Sequence, residues 1–391
     1  MATYYIDPEN HTGTASDTAG GGTSASNPYL NLSFAFSDVV ATHGKASPYG
    51  DSFKIIGNYA PDDTESTAAE TAMNAYGAYI KLLSDGATAF GTHSKNSRAT
   101  ISGANLVSNV NAIKALSTSY CFFSGFNLEN PKSANYLVWL GTGAVFDNVF
   151  ADINEPTFNV TLVRGQVGYI VQNSFFRVTA STGFVVGTYS QHRVRNNIFI
   201  LSAASDSYGL KLCGTGANSL NKVTNNTFVL TNGANAFSPN ASVCAFDNNL
   251  VIGTQSSSNS NGIMGWAQYP LISITNNHFE NLRSIAAHSG TAGTTRSENI
   301  NMINNTYYNV QHTDTPDPAY DIWTGFTRNN VQLANSGVVD GLNEDLRPTN
   351  VRVGATAFSQ LPITGADWVS SMTNGTPIIN NASSLKIRDI Y

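Results

Sequence analysis

A short pattern centred on asparagine recurs seven times along this chain, and few folds can accommodate such a recurrence. It reads Val145-Phe146-Asp147-Asn148-Val149-Phe150, Ile170-Val171-Gln172-Asn173-Ser174-Phe175 and Val194-Arg195-Asn196-Asn197-Ile198-Phe199. It continues at Val223-Thr224-Asn225-Asn226-Thr227-Phe228, Phe246-Asp247-Asn248-Asn249-Leu250-Val251, Ile274-Thr275-Asn276-Asn277-His278-Phe279 and Met302-Ile303-Asn304-Asn305-Thr306-Tyr307. The first polar position of each unit falls at 147, 172, 196, 225, 248, 276 and 304, in steps of 25, 24, 29, 23, 28 and 28 residues. A period in the twenties that tolerates small insertions marks a stacked repeat whose extra residues loop out on one side. Apolar residues flank the Asn pair with strand-like alternation, so each unit is one turn of a coil of short strands. The expected fold is an all-β parallel β-helix.

Asparagine suits such a coil for two reasons. It tolerates the left-handed backbone of a sharp corner, and like side chains stacked about 4.8 Å apart can hydrogen-bond as an amide ladder. The Val, Ile and Phe beside it are expected to stack inward. Phe122-Phe123-Ser124-Gly125-Phe126 lies one period before Asp147, and Ala99-Thr100-Ile101-Ser102-Gly103 one period earlier. Phe53-Lys54-Ile55-Ile56 and Tyr79-Ile80-Lys81-Leu82-Leu83 read as still earlier strands, and Phe326 to Val331 as a degenerate last rung. About ten coils are expected, which at strand spacing make a rod roughly 45–50 Å long.

Composition agrees with a polar-coated β structure: 12% of the residues are charged, while Asn, Ser, Thr and Gly abound. The net charge of -6 leaves no electrostatic footprint for nucleic acid. No segment is long and apolar enough for a membrane span, so no membrane insertion is expected. The start, Met1 to Asp7, lacks a basic region followed by an apolar run, and no secretory signal peptide is expected. Cys121, Cys213 and Cys244 are an odd set with spacing unsuited to zinc; they are expected to be buried free thiols.

Three regions are expected. Residues 1–50 form an N-terminal segment and cap, 51–345 the β-helix, and 346–391 an irregular C-terminal cap and tail. A short helix from Leu32 to Ala41, with Ser33 as its N-cap, would cover the first coil, where open strand edges invite aggregation. A second helix is expected from Ser66 to Ala75.

The opening Tyr4-Tyr5-Ile6-Asp7, Gly20-Gly21-Gly22-Thr23-Ser24 and Asn27-Pro28-Tyr29-Leu30-Asn31-Leu32 resembles the start of pectate-lyase-like proteins. Ile80 to Gly86 and Arg98 to Gly103 are similar to the first full coils of that superfamily. With the Asn repeat, the resemblance spans most of residues 4–345. It implies a single-stranded right-handed parallel β-helix with a short N-terminal helical cap and an irregular C-terminal cap. It does not fix function, because the superfamily holds polysaccharide lyases, glycoside hydrolases, phage tailspikes and noncatalytic virion proteins. Without a signal peptide, the resemblance points to a tailspike-like protein on a bacteriophage virion surface, made in the host cytoplasm. Such spikes are usually homotrimers, contact other virion proteins and bind host-surface polysaccharide. The chain departs from long tailspikes in lacking a separate virion-binding domain before the coil. That departure leaves open attachment through an adaptor, or a capsid or tail decoration protein without catalysis. A polysaccharide depolymerase of hydrolase or lyase type is the third reading. No cofactor is implied.

The same register nominates binding residues. The position before each Asn pair (Phe146, Val171, Arg195, Thr224, Asp247, Thr275, Ile303) is expected to face outward. So is the position two residues earlier (Ala144, Tyr169, Arg193, Lys222, Ala245, Ser273, Asn301). Tyr169, Arg193, Arg195, Lys222 and Asp247 would then share one exposed patch, basic and aromatic-edged, suited to an acidic glycan. Trp139 is expected outward between Val138 and Leu140, with Lys211 in the like position between Leu210 and Leu212. Glycoside hydrolysis needs two carboxyl groups roughly 5–9.5 Å apart. No column stacks two acids on neighbouring rungs, and no Asp-rich run offers the oxygens calcium needs. Catalytic residues are left unassigned and no metal is expected. His192, His278, His288 and His312 have no spacing for a triad and are expected to be structural.

Overall fold

The computed structural model describes residues 2–43, 50–77, 79–86, 98–107, 110–131, 136–188, 192–203, 208–212, 221–238, 244–253, 260–265, 272–288, 300–311, 326–335, 338–340 and 345–348. It is a parallel β-solenoid of about seven turns with two short α-helices. The chain divides into two compact units, Met1–Ile153 with Phe158–Ser174 and Asn154–Thr157 with Phe175–Tyr391.

In the first unit one parallel sheet is laid down in the order Thr3–Ile6, Ser52–Ile55, Lys81–Ser84, Phe122–Ser124, Val145–Asp147 and Ile170–Gln172. A second ladder joins Asn58–Tyr59, Thr100–Ser102 and Asn127–Glu129, and a third pairs Ile113–Ser119 with Tyr136–Thr142. In the second unit the first sheet runs Arg193–Arg195, Asn221–Thr224, Cys244–Asp247, Ile272–Thr275, Ile300–Ile303 and Phe326–Arg328. Its rings stack as expected: Phe176 on Phe199 at 5.3 Å, and Phe199 on Phe228 at 4.9 Å and 6°. The number of turns differs slightly from the ten coils expected. The first sheet strand also begins at Thr3, inside the N-terminal segment.

The two asparagines of each pair do different work. Asn196, Asn225, Asn248, Asn276, Asn304 and Asn329 adopt left-handed backbone, with φ between 54° and 59°, and turn the corner. Their successors form the ladder, buried from Asn197 to Asn305 and half-buried at Asn330. The Asn226 side-chain oxygen accepts from the Asn197 amide nitrogen at 3.0 Å and from the Asn197 backbone N–H at 3.1 Å. Asn226 Nδ2 donates in turn to Asn249 Oδ1 at 3.1 Å and to the Val194 carbonyl at 2.9 Å. The same bonds repeat from Asn249 to Asn277, Asn277 to Asn305 and Asn305 to Asn330.

That division corrects the register in the first unit. The left-handed corners there are Asn148 and Asn173, the second polar residue of their units. The ladder positions are Val149 and Ser174, with Ser174 Oγ accepting from the Val149 N–H at 3.0 Å. Asp147 and Gln172, which pair in register, therefore stand one place before the corner asparagine, as Arg195 and Thr224 do in the second unit. Because side chains alternate along a strand, a one-residue slip exchanges inside for outside. Phe146 and Val171, expected to face outward, are fully buried.

The helices differ from expectation in the cap of the first and the start of the second. The first covers Leu32–Asp38 after Asn31 and passes into a π-helical turn, Val39–His43. Ser33 is not its cap: its N–H and hydroxyl both donate to the Glu65 carboxylate, at 3.0 and 2.5 Å. The second covers Asp63–Tyr76, three residues earlier than expected, because the Asp62 side chain caps it by accepting from the Glu65 N–H at 2.8 Å. Cys121 and Cys244 are buried and free; burial pushes the Cys121 thiol up to about 12. Cys213 lies outside the described residues. Among those residues, no helix is long and apolar enough to cross a membrane.

Candidate functional site

The exposed basic positions of the second unit come from strand alternation. In Arg193–Arg195 both arginines are exposed while Val194 is buried between them. Arg193 lies beside Lys222 on the next strand, and Arg195 beside Thr224. Lys222 is likewise exposed, with Asn221 and Val223 buried on either side. Neither Arg193 nor Lys222 makes an ion pair among the described residues. Asp247 follows Thr224 in the Arg195 column and is half-buried. Its carboxylate accepts from the Thr275 hydroxyl at 2.6 Å and from the Asn276 amide at 2.9 Å. It serves the neighbouring turn, and the outward chemistry of the strip is cationic.

Tyr169 does not belong to this surface. Its ring is fully buried in the first unit, edge-on to Phe146 at 6.1 Å. The register slip explains this, since the position matching Arg193 is one residue later than Tyr169. Gly165 makes the room: a Cβ there would fall 2.3 Å from the ring.

Trp139 is half-buried, with Leu137, Val138 and Leu140 buried around it. Its neighbours in register are Lys114 on one strand and Arg164 on the other. The Lys114 ammonium lies 5.8 Å and the Arg164 guanidinium 4.5 Å from the indole ring. Arg164 also covers the Tyr136 ring at 4.5 Å and donates to its hydroxyl at 2.6 Å. Lys114 is held by Glu70 at 2.9 Å. Cations of the chain itself thus stand against the indole from both neighbouring strands. Lys211 pairs in register with Gly187 and Ser238, while its side chain lies outside the described residues.

Several features have no counterpart in the sequence reading. Tyr79 and Tyr120 are exposed at 43% and 56% yet sit in left-handed backbone, with φ of 62° and 59°. Their rings stack at 5.1 Å and 11°. Non-glycine residues in that region cost roughly 1–2 kcal/mol each. A buried Arg98 donates to the Asn148 carbonyl and, at 2.8 Å, to its side-chain oxygen. Burial lowers the Arg98 pKa to about 10, with the Asp147 carboxylate acting in the opposite direction. His278 contacts Glu280 at 3.1 Å and Thr306 at 2.8 Å, all buried. This fits the structural role expected of His278. No group of three metal-binding side chains occurs among the described residues.

No family model, curated protein or solved structure matches the chain. Its function is therefore argued from its own surface.

Proposed function

We propose that this chain is a polysaccharide-binding β-solenoid of a bacteriophage virion surface, and that it holds acidic glycan on the Arg193–Arg195–Lys222 strip. One observation carries the binding half of the reading. Two neighbouring strands of a chain with net charge -6 present Arg193 and Lys222 side by side, exposed and without a carboxylate partner among the described residues. Unpaired cations at fixed spacing favour a ligand that brings its own anionic groups. Arginine adds bidentate geometry toward carboxylate or sulfate. The virion half rests on the resemblance of the N-terminal segment and first coils to the pectate-lyase-like superfamily, to which phage tailspikes belong.

The test is affinity electrophoresis or calorimetry of the full chain against polyanionic polysaccharides, including host capsule, beside neutral ones. Arg193→Ala with Lys222→Ala is expected to weaken acidic-polysaccharide binding by roughly 10- to 100-fold while leaving thermal unfolding unchanged. Undiminished affinity in that variant would make the strip ordinary solvated surface. Release of reducing ends or unsaturated products would move the assignment to a depolymerase.

A further inference from the structure

Three of the five large apolar side chains exposed among the described residues of the first unit, Tyr79, Tyr120 and Val167, gather on one corner of its coil. Strand register aligns Gly50, Tyr79, Tyr120, Gly143 and Gly168, which precede successive strands of the first sheet. All five have left-handed backbone, with φ of 68°, 62°, 59°, 70° and 73°. Glycine holds this conformation without strain, so tyrosine at two of the five places is a departure that the corner geometry does not ask for. Val167, beside Gly168, is exposed at 39% and extends the apolar edge, its carbonyl accepting from the Gly143 N–H at 2.9 Å.

Two properties decide what this edge fits. A saccharide stacks on an open aromatic face, and Tyr120 has none to offer. One face meets Tyr79, and the other lies over Gly143, where a Cβ would fall 2.8 Å from the ring. The rest of the Tyr79–Tyr120 stack remains exposed, a surface suited to packing against protein side chains. The edge also carries no charge: its residues are Tyr79, Ser119-Tyr120, Thr142-Gly143 and Gln166-Val167-Gly168. Copies of a chain with net charge -6 repel one another, and they approach at least cost where no carboxylate stands.

We propose that the Tyr79–Tyr120–Val167 edge is a self-association surface occupied by a second copy of this chain. It is independent of the polysaccharide strip, which lies in the second unit, so either assignment can fail without the other. Sedimentation velocity of the full chain over a wide concentration range tests it. The wild type is expected to sediment as an oligomer. Tyr79→Gly with Tyr120→Gly is expected to be monomeric or to associate at least about tenfold more weakly. Glycine already stands at the three equivalent corners, so this variant should keep its unfolding temperature. Val167→Glu leaves both rings in place and is expected to weaken association by adding like charge; it decides alone if the glycine variant does not fold. A wild type that is monomeric throughout, or well-folded variants that keep its sedimentation profile, would overturn the proposal.

Discussion

At the residue scale the chain turns on which asparagine of a pair does what. Asn225 supplies a φ of 59°, whereas Asn226 supplies a buried amide that links three turns. The two should therefore respond differently to substitution. Asn225→Gly keeps the left-handed corner and is expected to change stability by less than about 1 kcal/mol. Asn226→Leu fills the same space but strands the donors of Asn197 and the acceptors above and below, and should cost about 2–4 kcal/mol. Urea denaturation of the two variants checks this, and equal losses would contradict the division of roles. The repeat was legible because Asn pairs in one period are hard to explain otherwise. The slip at Asp147-Asn148 and Gln172-Asn173 was not, because a polar residue before Asn looks like the first member of a pair. Only the hydrogen bonds show that Val149 and Ser174 occupy the ladder positions there.

At the scale of elements, strand alternation was readable and neighbour identity was not. Arg193 and Arg195 came out exposed because Val194 between them is buried. Trp139 obeyed the same alternation, yet its chemistry was set by strands 25 residues away on either side, which place Lys114 and Arg164 against it. Sequence shows which face a residue takes more readily than what will stack above it. Trp139→Ala is expected to lower stability by roughly 2–3 kcal/mol, from lost burial and two cation–π contacts. Affinity for acidic polysaccharide should be unchanged. Thermal or denaturant unfolding beside a binding assay reads both; intact stability with lost binding would restore Trp139 as a sugar platform. The start of the second helix and the cap of the first were missed for local reasons, since Asp62 outcompeted Ser66 as a place to begin and Glu65 drew Ser33 away from capping.

For the whole molecule, the solenoid converts sequence period into surface pattern. Residues 29 positions apart, Arg193 and Lys222, become neighbours because each turn returns to the same register. That placement is the premise of the polysaccharide reading, and alternation alone would not have produced it. Electron paramagnetic resonance can measure it directly, with nitroxides on Arg193→Cys and Lys222→Cys in a chain whose three native cysteines are replaced. Neighbouring parallel strands lie about 4.8 Å apart, so the doubly labelled protein should show strong spin–spin broadening with mobile, outward-facing labels. A double-label spectrum equal to the sum of the two single-label spectra would contradict the stacking of these turns and remove the strip.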